Sequence, residues 1–221
     1  VYTDVTSFST GDSMKFTAKG GEDAWPAKDY LNIWTCNLSN KVLGYATLPT
    51  FSSGVPPKND GVVVLYRAFG REGYVVYPYN LGRTCTHEVG HWLGMYHIWG
   101  DDGGGCDGSD DMDDTPNQAD ANYGCPSFPK TDACSPNPPG VMFMDYMDYT
   151  DDRCMYMFTK DQAAEMTSVL NTSRKSIQTS PAGCAGTHFG NDAAAAQIIQ
   201  PLDTLDYLSF QPQVSIINRG L

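Results

Sequence analysis

His87-Glu88-Val89-Gly90-His91-Trp92-Leu93-Gly94-Met95-Tyr96-His97 reads H-E-x-x-H-x-x-G-x-x-H, a spacing that gathers four polar side chains around one point. In a helix, residues four apart stack one turn above each other, so His87 and His91 aim two imidazoles at the same ion. Gly94 ends that helix, because a residue without a Cβ tolerates the left-handed backbone that stops it and swings the chain sideways. His97 then approaches as a third ligand from outside the helix. Glu88 follows the first ligand and projects beside the metal, where a carboxylate can take a proton from a zinc-bound water. Three protein nitrogens leave the fourth tetrahedral position to water, the arrangement of a catalytic rather than a structural zinc. Three of the chain's four histidines lie here; His188, isolated in a Gly/Ala-rich stretch, reads as an ordinary surface histidine.

Around that motif, 221 residues with 41% hydrophobic content are enough for one globular domain with a real core. The division expected is an N-terminal lobe over 1–96 and a C-terminal lobe over 97–221. Apolar runs such as Val62-Val63-Val64-Leu65 are far short of the roughly 20 residues that cross a bilayer. The sequence opens at Val1 without a charged-then-apolar leader, as expected if any signal or pro-segment has been removed. A formal charge of −12 argues against nucleic acid, which needs clustered Lys and Arg, and suits cations and basic substrates instead. Much of the acid lies directly after His97, at Asp101, Asp102, Asp107, Asp110, Asp111, Asp113, Asp114 and Asp120. Such a run is either a solvated loop or a calcium site, since carboxylates confined to a Gly-rich loop need a hard cation to order them. No bidentate Glu occupies the twelfth position of an EF-hand, so a calcium site here would be irregular.

Seven cysteines are many for a cytosolic enzyme of this size and point to a secreted protein. Cys106, Cys125, Cys134 and Cys154 cluster in the irregular segment after the motif, where crosslinks would each contribute about 2–4 kcal/mol. Four cysteines allow three pairings. Cys36 and Cys85 read as buried free thiols, and Cys184 is left undecided.

Leu31–Cys36 and Gly61–Tyr66 have the β-branched and aromatic content of strands, and Tyr74–Tyr77 reads as an edge strand closed by Pro78. The motif helix is expected over about 81–93. Residues 98–140 carry Gly, Pro, Asp and Asn without a sustained period and are assigned as loop. Thr159 and Gln162 form a capping-box pattern opening a further helix, with Ala163, Met166 and Leu170 on its buried face. A last short helix is expected over Asp192–Gln200, ahead of Pro201.

Met142, Met144, Met147, Met155 and Met157 crowd together before the capped helix. By default such methionines fill core. Here the order of long zinc motif, irregular loop, Met-containing turn and C-terminal helix resembles the metzincin metalloproteases. The match is closer to the pappalysin family, through Met147-Asp148-Tyr149-Thr150-Asp151-Asp152-Arg153-Cys154, Leu31-Asn32-Ile33-Trp34 and Asp110-Asp111-Met112-Asp113-Asp114-Thr115-Pro116; it runs from about Leu31 to Ala164.

The resemblance implies an α+β, metzincin-like fold: a twisted mixed sheet and active-site helix in the N-terminal lobe, and a largely irregular C-terminal lobe stabilised by disulfides and calcium. It implies the pairs Cys106–Cys134 and Cys125–Cys154, and calcium ligands at Asp102, Asp110, Asp113 and Thr115. Met147 becomes the turn under the zinc ligands. Tyr149 becomes a hydrogen-bond donor to the oxyanion of the tetrahedral intermediate. Asp152 becomes the carboxylate at the base of the pocket after the scissile bond, which favours Arg or Lys there; its alternative is a surface Asp in a turn. Metzincins carry a strand and a long backing helix early in the domain, whereas residues 1–26 show no helical period, so the chain is expected to begin inside its domain: either an upstream fragment of the precursor was cut and stays bound as a partner, or the numbering starts after a processing site within the fold. The function implied is a secreted zinc endopeptidase cutting protein or peptide substrates before basic residues. The rivals are a zinc hydrolase of a non-peptide amide or ester, and a catalytically silent, metal-stabilised binding module.

Overall fold

A computed structural model of the chain describes residues 3–49 and 56–180, and the backbone of 193–200 and 213–218. The chain divides into two compact units, Val1–Ser180 and Pro181–Leu221. His188 and Cys184 lie outside the described residues.

The first unit is built on a three-stranded mixed sheet of β1 (Ile33–Cys36), β2 (Gly44–Ala46) and β3 (Val62–Leu65), in the order β1-β3-β2. β3 runs parallel to β1, with Trp34 opposite Val63, and antiparallel to β2, with Tyr45 opposite Val63. The unbroken run Val62-Val63-Val64 is what a strand covered on both faces requires, and all three side chains are fully buried. Val63 packs with Phe8, Met14, Trp34 and Leu38, while Val62 and Val64 pack against Trp92. The second face is covered by α1 (Arg83–Trp92) through Cys85, Val89 and Leu93. The helix carrying the zinc motif is therefore bedded on the most deeply buried strand.

One expected strand is missing and one unexpected strand is present. Tyr74–Tyr77 is not a strand: the chain leaves β3 through a 3-10 turn at Tyr66–Ala68, and its local pairings are Val76 N–H to the Arg67 carbonyl and Tyr79 N–H to the Val76 carbonyl. Tyr74 is 84% exposed, so aromatic composition without a neighbouring ladder forms no sheet. Conversely, β2 spans three residues beginning with Gly, too short for periodicity to register, and exists because β3 offers it a partner edge.

The rest of the unit is irregular from Leu93 to Phe158 apart from turns, a 3-10 turn at Asp152–Cys154 and isolated bridges. The crosslinks are Cys106–Cys134 and Cys125–Cys154. α2 (Lys160–Asn171) opens with the expected capping box, Thr159 accepting from Gln162 N–H and Gln162 returning the bond. After it comes α3 (Lys175–Gln178). Cys36 and Cys85 are free and half-buried, with burial raising the pKa of both thiols.

In the second unit β4 (Ala193–Gln200) pairs antiparallel with β5 (Gln213–Asn218). This corrects the helix expected over Asp192–Gln200. The four alanines favour a helix, yet the Ile198-Ile199 pair and an available partner strand favour the sheet, and pairing outweighs weak local propensity.

A buried ion pair ties three separate pieces of the first unit together. Arg174 donates to Asp60 from Nη1 (2.6 Å) and Nη2 (3.0 Å), and from Nε to the Trp92 carbonyl (2.6 Å). Trp92 Nε1 donates to the same carboxylate at 2.9 Å, and the guanidinium lies 3.8 Å over the Trp92 ring. Arg174 and Asp60 are 1% and 0% exposed.

Candidate active site

α1 has no side-chain cap of its own: Gly82, at φ 80°, precedes it. The carboxylate of Asp152, 69 residues further on, takes that place by accepting Leu81 N–H (2.7 Å) and Arg83 N–H (3.2 Å). An acid there also complements the helix dipole. At the other end Gly94 adopts φ 94°, with Gly94 N–H bonded to the His91 carbonyl and Met95 N–H to the Gly90 carbonyl. These two bonds are a Schellman motif, so the expected role of Gly94 is met in full. The reversal brings the Met95 carbonyl onto His91, whose Nδ1–H donates to it at 2.7 Å.

His87 is held in the same manner by the Tyr146 carbonyl (2.6 Å), and His97 by the Asp101 carboxylate (2.8 Å). With every Nδ1 committed as donor, every Nε2 is left as a lone pair. Nε2 of His91 lies 3.0 Å from that of His87 and 3.1 Å from that of His97. A tetrahedral zinc with nitrogen bonds of about 2.0–2.1 Å needs ligands roughly 3.3 Å apart, so the three imidazoles fit that ion. Among the described residues this is the one group of three or more His, Cys, Asp or Glu that could hold a metal. Burial, and then the neighbouring imidazoles, push His87 well below the usual histidine range and His91 down to about 4, which keeps both neutral.

Glu88 is buried beside the triad, and burial raises its carboxyl to about 8. A dication alongside acts in the opposite sense and favours the carboxylate. Tyr149 Oη stands 3.0 Å from His97 Nε2. Burial first, then the charge of Glu88, raises its phenol to about 12, so it stays a donor at neutral pH. Beneath the triad, Met147 is fully buried, and its Sδ would lie 2.6 Å from a Cβ on Gly90. The second free position of H-E-x-x-H is therefore constrained: only glycine lets the methionine turn approach this closely. Asp145 shapes that turn by accepting Met147 N–H at 2.7 Å.

A cavity of about 620 Å³ opens against His87 and Glu88 and is lined further by Tyr79, Thr84, Asp152 and Met155. Asp152, expected as a pocket carboxylate, is on that wall and not in an exposed turn; burial chiefly raises its pKa, against the N–H bonds from Leu81 and Arg83. The four side chains expected to hold calcium form no single carboxylate group. Asp102 accepts N–H from Gly105, Asp107 and Gly108, and Asp110 accepts the Thr115 hydroxyl.

The family model described as pregnancy-associated plasma protein-A, peptidase M43, matches residues 16–171. The chain belongs to the peptidase M43 family. Mature mirolysin of Tannerella forsythia, solved in complex with a cleaved peptide, is 53% identical with a TM-score of 0.77, over 80% of this chain and 66% of that one. An extracellular metalloprotease of Pyricularia oryzae is 39% identical over 145 residues, 65% of this chain and 48% of its own length. One from Neurospora crassa is 40% identical over 151 residues, 65% of this chain and 49% of its own. The chain thus spans about half the length of these curated relatives. The M43 match and the likeness to mirolysin bear out the metzincin fold of the pappalysin family.

Asp101 and Trp99 are absent from the motif as read in sequence, yet both hold the His97 ring. The Trp99 ring stacks on His97 at 4.2 Å and an interplanar angle of 7°. Asp101 follows His97 by four residues, a spacing that could have been noticed, but it sits at φ 53° beyond any helix. Replacing Asp101 with Ala should weaken zinc binding by about 10–100-fold, the usual effect of losing a carboxylate behind a ligand histidine. Competition against a calibrated chelator measures it, and an unchanged affinity would exclude the role.

Proposed function

We propose that this chain is a secreted zinc-dependent endopeptidase that hydrolyses peptide bonds on the N-terminal side of Arg and Lys. The observation that carries it is the convergence of three Nε2 lone pairs beside a phenol donor, with His87, Glu88 and Tyr149 lining one cavity together with Asp152. His87, His91 and His97 would hold zinc, which when bound acts as a Lewis acid on the scissile carbonyl and lowers the pKa of water beside it. Glu88 takes the proton of the attacking water and passes it to the leaving amine. Tyr149, kept protonated, donates to the oxyanion as charge develops on the carbonyl oxygen. Asp152 draws a guanidinium or ammonium into the cavity, where partial desolvation strengthens the pairing.

Secretion is supported by two disulfides and by relatives named as extracellular. Among the described residues, no helix is long and apolar enough to cross a membrane. We place a structural calcium in the acidic loop. Its support is that the seven aspartates from Asp101 to Asp114 make no ion pair with Lys or Arg among the described residues. The candidate donors are Asp102, Asp110, Asp113 and Thr115, through side-chain or backbone oxygens. The residues given roles in this proposal all lie in the unit Val1–Ser180.

Digestion of a peptide library, read by mass spectrometry with and without calcium, is the test. Cuts leaving Arg or Lys at the new N-terminus are expected, and Asp152→Ala should flatten that preference while cleavage continues. Hydrolysis of esters or small amides without any peptide cut would favour the non-peptide hydrolase. No turnover with zinc loaded would favour the silent binding module. Calcium-selective chelation should expose residues 98–140 to proteolysis before zinc is lost; an unchanged pattern removes calcium from the proposal.

A further inference from the structure

Strand β2 borders the cavity, and its first residue meets the proposed base. A Cβ on Gly44 would stand 2.7 Å from Glu88 Cγ, 2.7 Å from Oε1 and 2.9 Å from Cδ. Carbon atoms in comfortable contact are about 3.5–4.0 Å apart, so a methyl group there overlaps the side chain by close to an ångström. Gly44 is not among the glycines with positive φ; its backbone is ordinary strand, open to any residue. Space, and not conformation, is what glycine supplies.

The backbones of both partners are held in place. Glu88 is 5% exposed on a helix bedded on Val62 and Val64. β2 is fixed on the other side by Tyr45, whose hydroxyl donates to Asp12 Oδ1 at 2.8 Å. Asp12 also receives Asn59 Nδ2 (2.7 Å) and pairs with Lys15 (3.0 Å). Lys15 is itself 2% exposed and donates to the Asn59 carbonyl at 3.0 Å. Buried polar networks satisfied in this way hold one geometry.

We propose that Gly44 is a positioning residue for Glu88. Its bare Cα leaves the volume in which the carboxylate stands, and the tethered strand is the wall that keeps it aimed at the reacting water. This rests on Glu88 being the base.

A double-mutant cycle of Gly44→Ala and Glu88→Ala in the full chain tests it, reading peptide turnover, zinc content and thermal unfolding. Gly44→Ala is expected to keep zinc and KM while kcat falls on the order of 100-fold, the scale of an ångström misplacement. On the Glu88→Ala background the same substitution should alter neither residual turnover nor unfolding, because the three atoms nearest the methyl group are then gone. An unchanged kcat in Gly44→Ala overturns the proposal. So does an equal loss of stability on both backgrounds, which would mark a general need of the strand for glycine. Should Gly44→Ala fail to fold, Gly44→Ala/Glu88→Ala must fold as Glu88→Ala does, and its failure also overturns the proposal. Full turnover in Glu88→Ala alone would instead remove the base assignment, which is a separate outcome.

Discussion

Glu88→Ala should leave zinc bound and reduce peptide turnover on the order of 10²–10⁴-fold, the range assigned to a positioned general base. The three imidazoles do not depend on Glu88 for orientation: the Tyr146 carbonyl, the Met95 carbonyl and the Asp101 carboxylate hold them. Metal content and ligand geometry should therefore survive the substitution, and the loss should fall on kcat. Glu88→Gln is the companion variant, since it keeps volume and removes only the basic oxygen. Comparable turnover in either variant, measured with a stoichiometric zinc load, would sink the mechanism. Loss of zinc in Glu88→Ala would show instead that the carboxylate supports the metal and not the proton transfer.

Arg174→Met should destabilise the first unit by about 3–5 kcal/mol, the cost of stranding one member of a buried ion pair. Methionine retains most of the volume, so the loss reports charge and hydrogen bonding more than a cavity. What is stranded is Asp60, fully buried and left with Trp92 Nε1 from this network. For a unit of this size the midpoint of thermal unfolding should drop by roughly 6–20 °C. Asp60→Asn/Arg174→Met should lose less than the sum of the two single variants, because the second change removes the charge the first one orphaned. A drop under about 1 kcal/mol for Arg174→Met would mean that the pair is relieved by water and does not anchor the end of α1.

How far the sequence reached depends on how local each determinant is. The convergence of His87, His91 and His97 was legible because their spacing is the period of one helix plus a glycine stop, and both are enforced within eleven residues. The capping box of α2 is local in the same sense. The cysteine pairing was not legible from residues, since four cysteines leave three choices and only the resemblance selected one. The helix expected at Asp192–Gln200 and the strand expected at Tyr74–Tyr77 failed because local composition is overruled by whether a partner strand is present. Gly44, Gly90 and Arg174 gave no sequence signal at all: each matters through an atom from another part of the chain.

By itself the sequence determined the histidine triad, the helix that carries its first two members and the point where that helix must stop, because hydrogen bonds and periodicity over a few residues fix those. Only the tertiary structure decided which nitrogen of each imidazole faces the metal, where Glu88 can stand and what caps the start of α1. Those depend on carbonyls, a carboxylate and a bare Cα delivered from up to about 70 residues away, and contacts of that range are set by packing on β3.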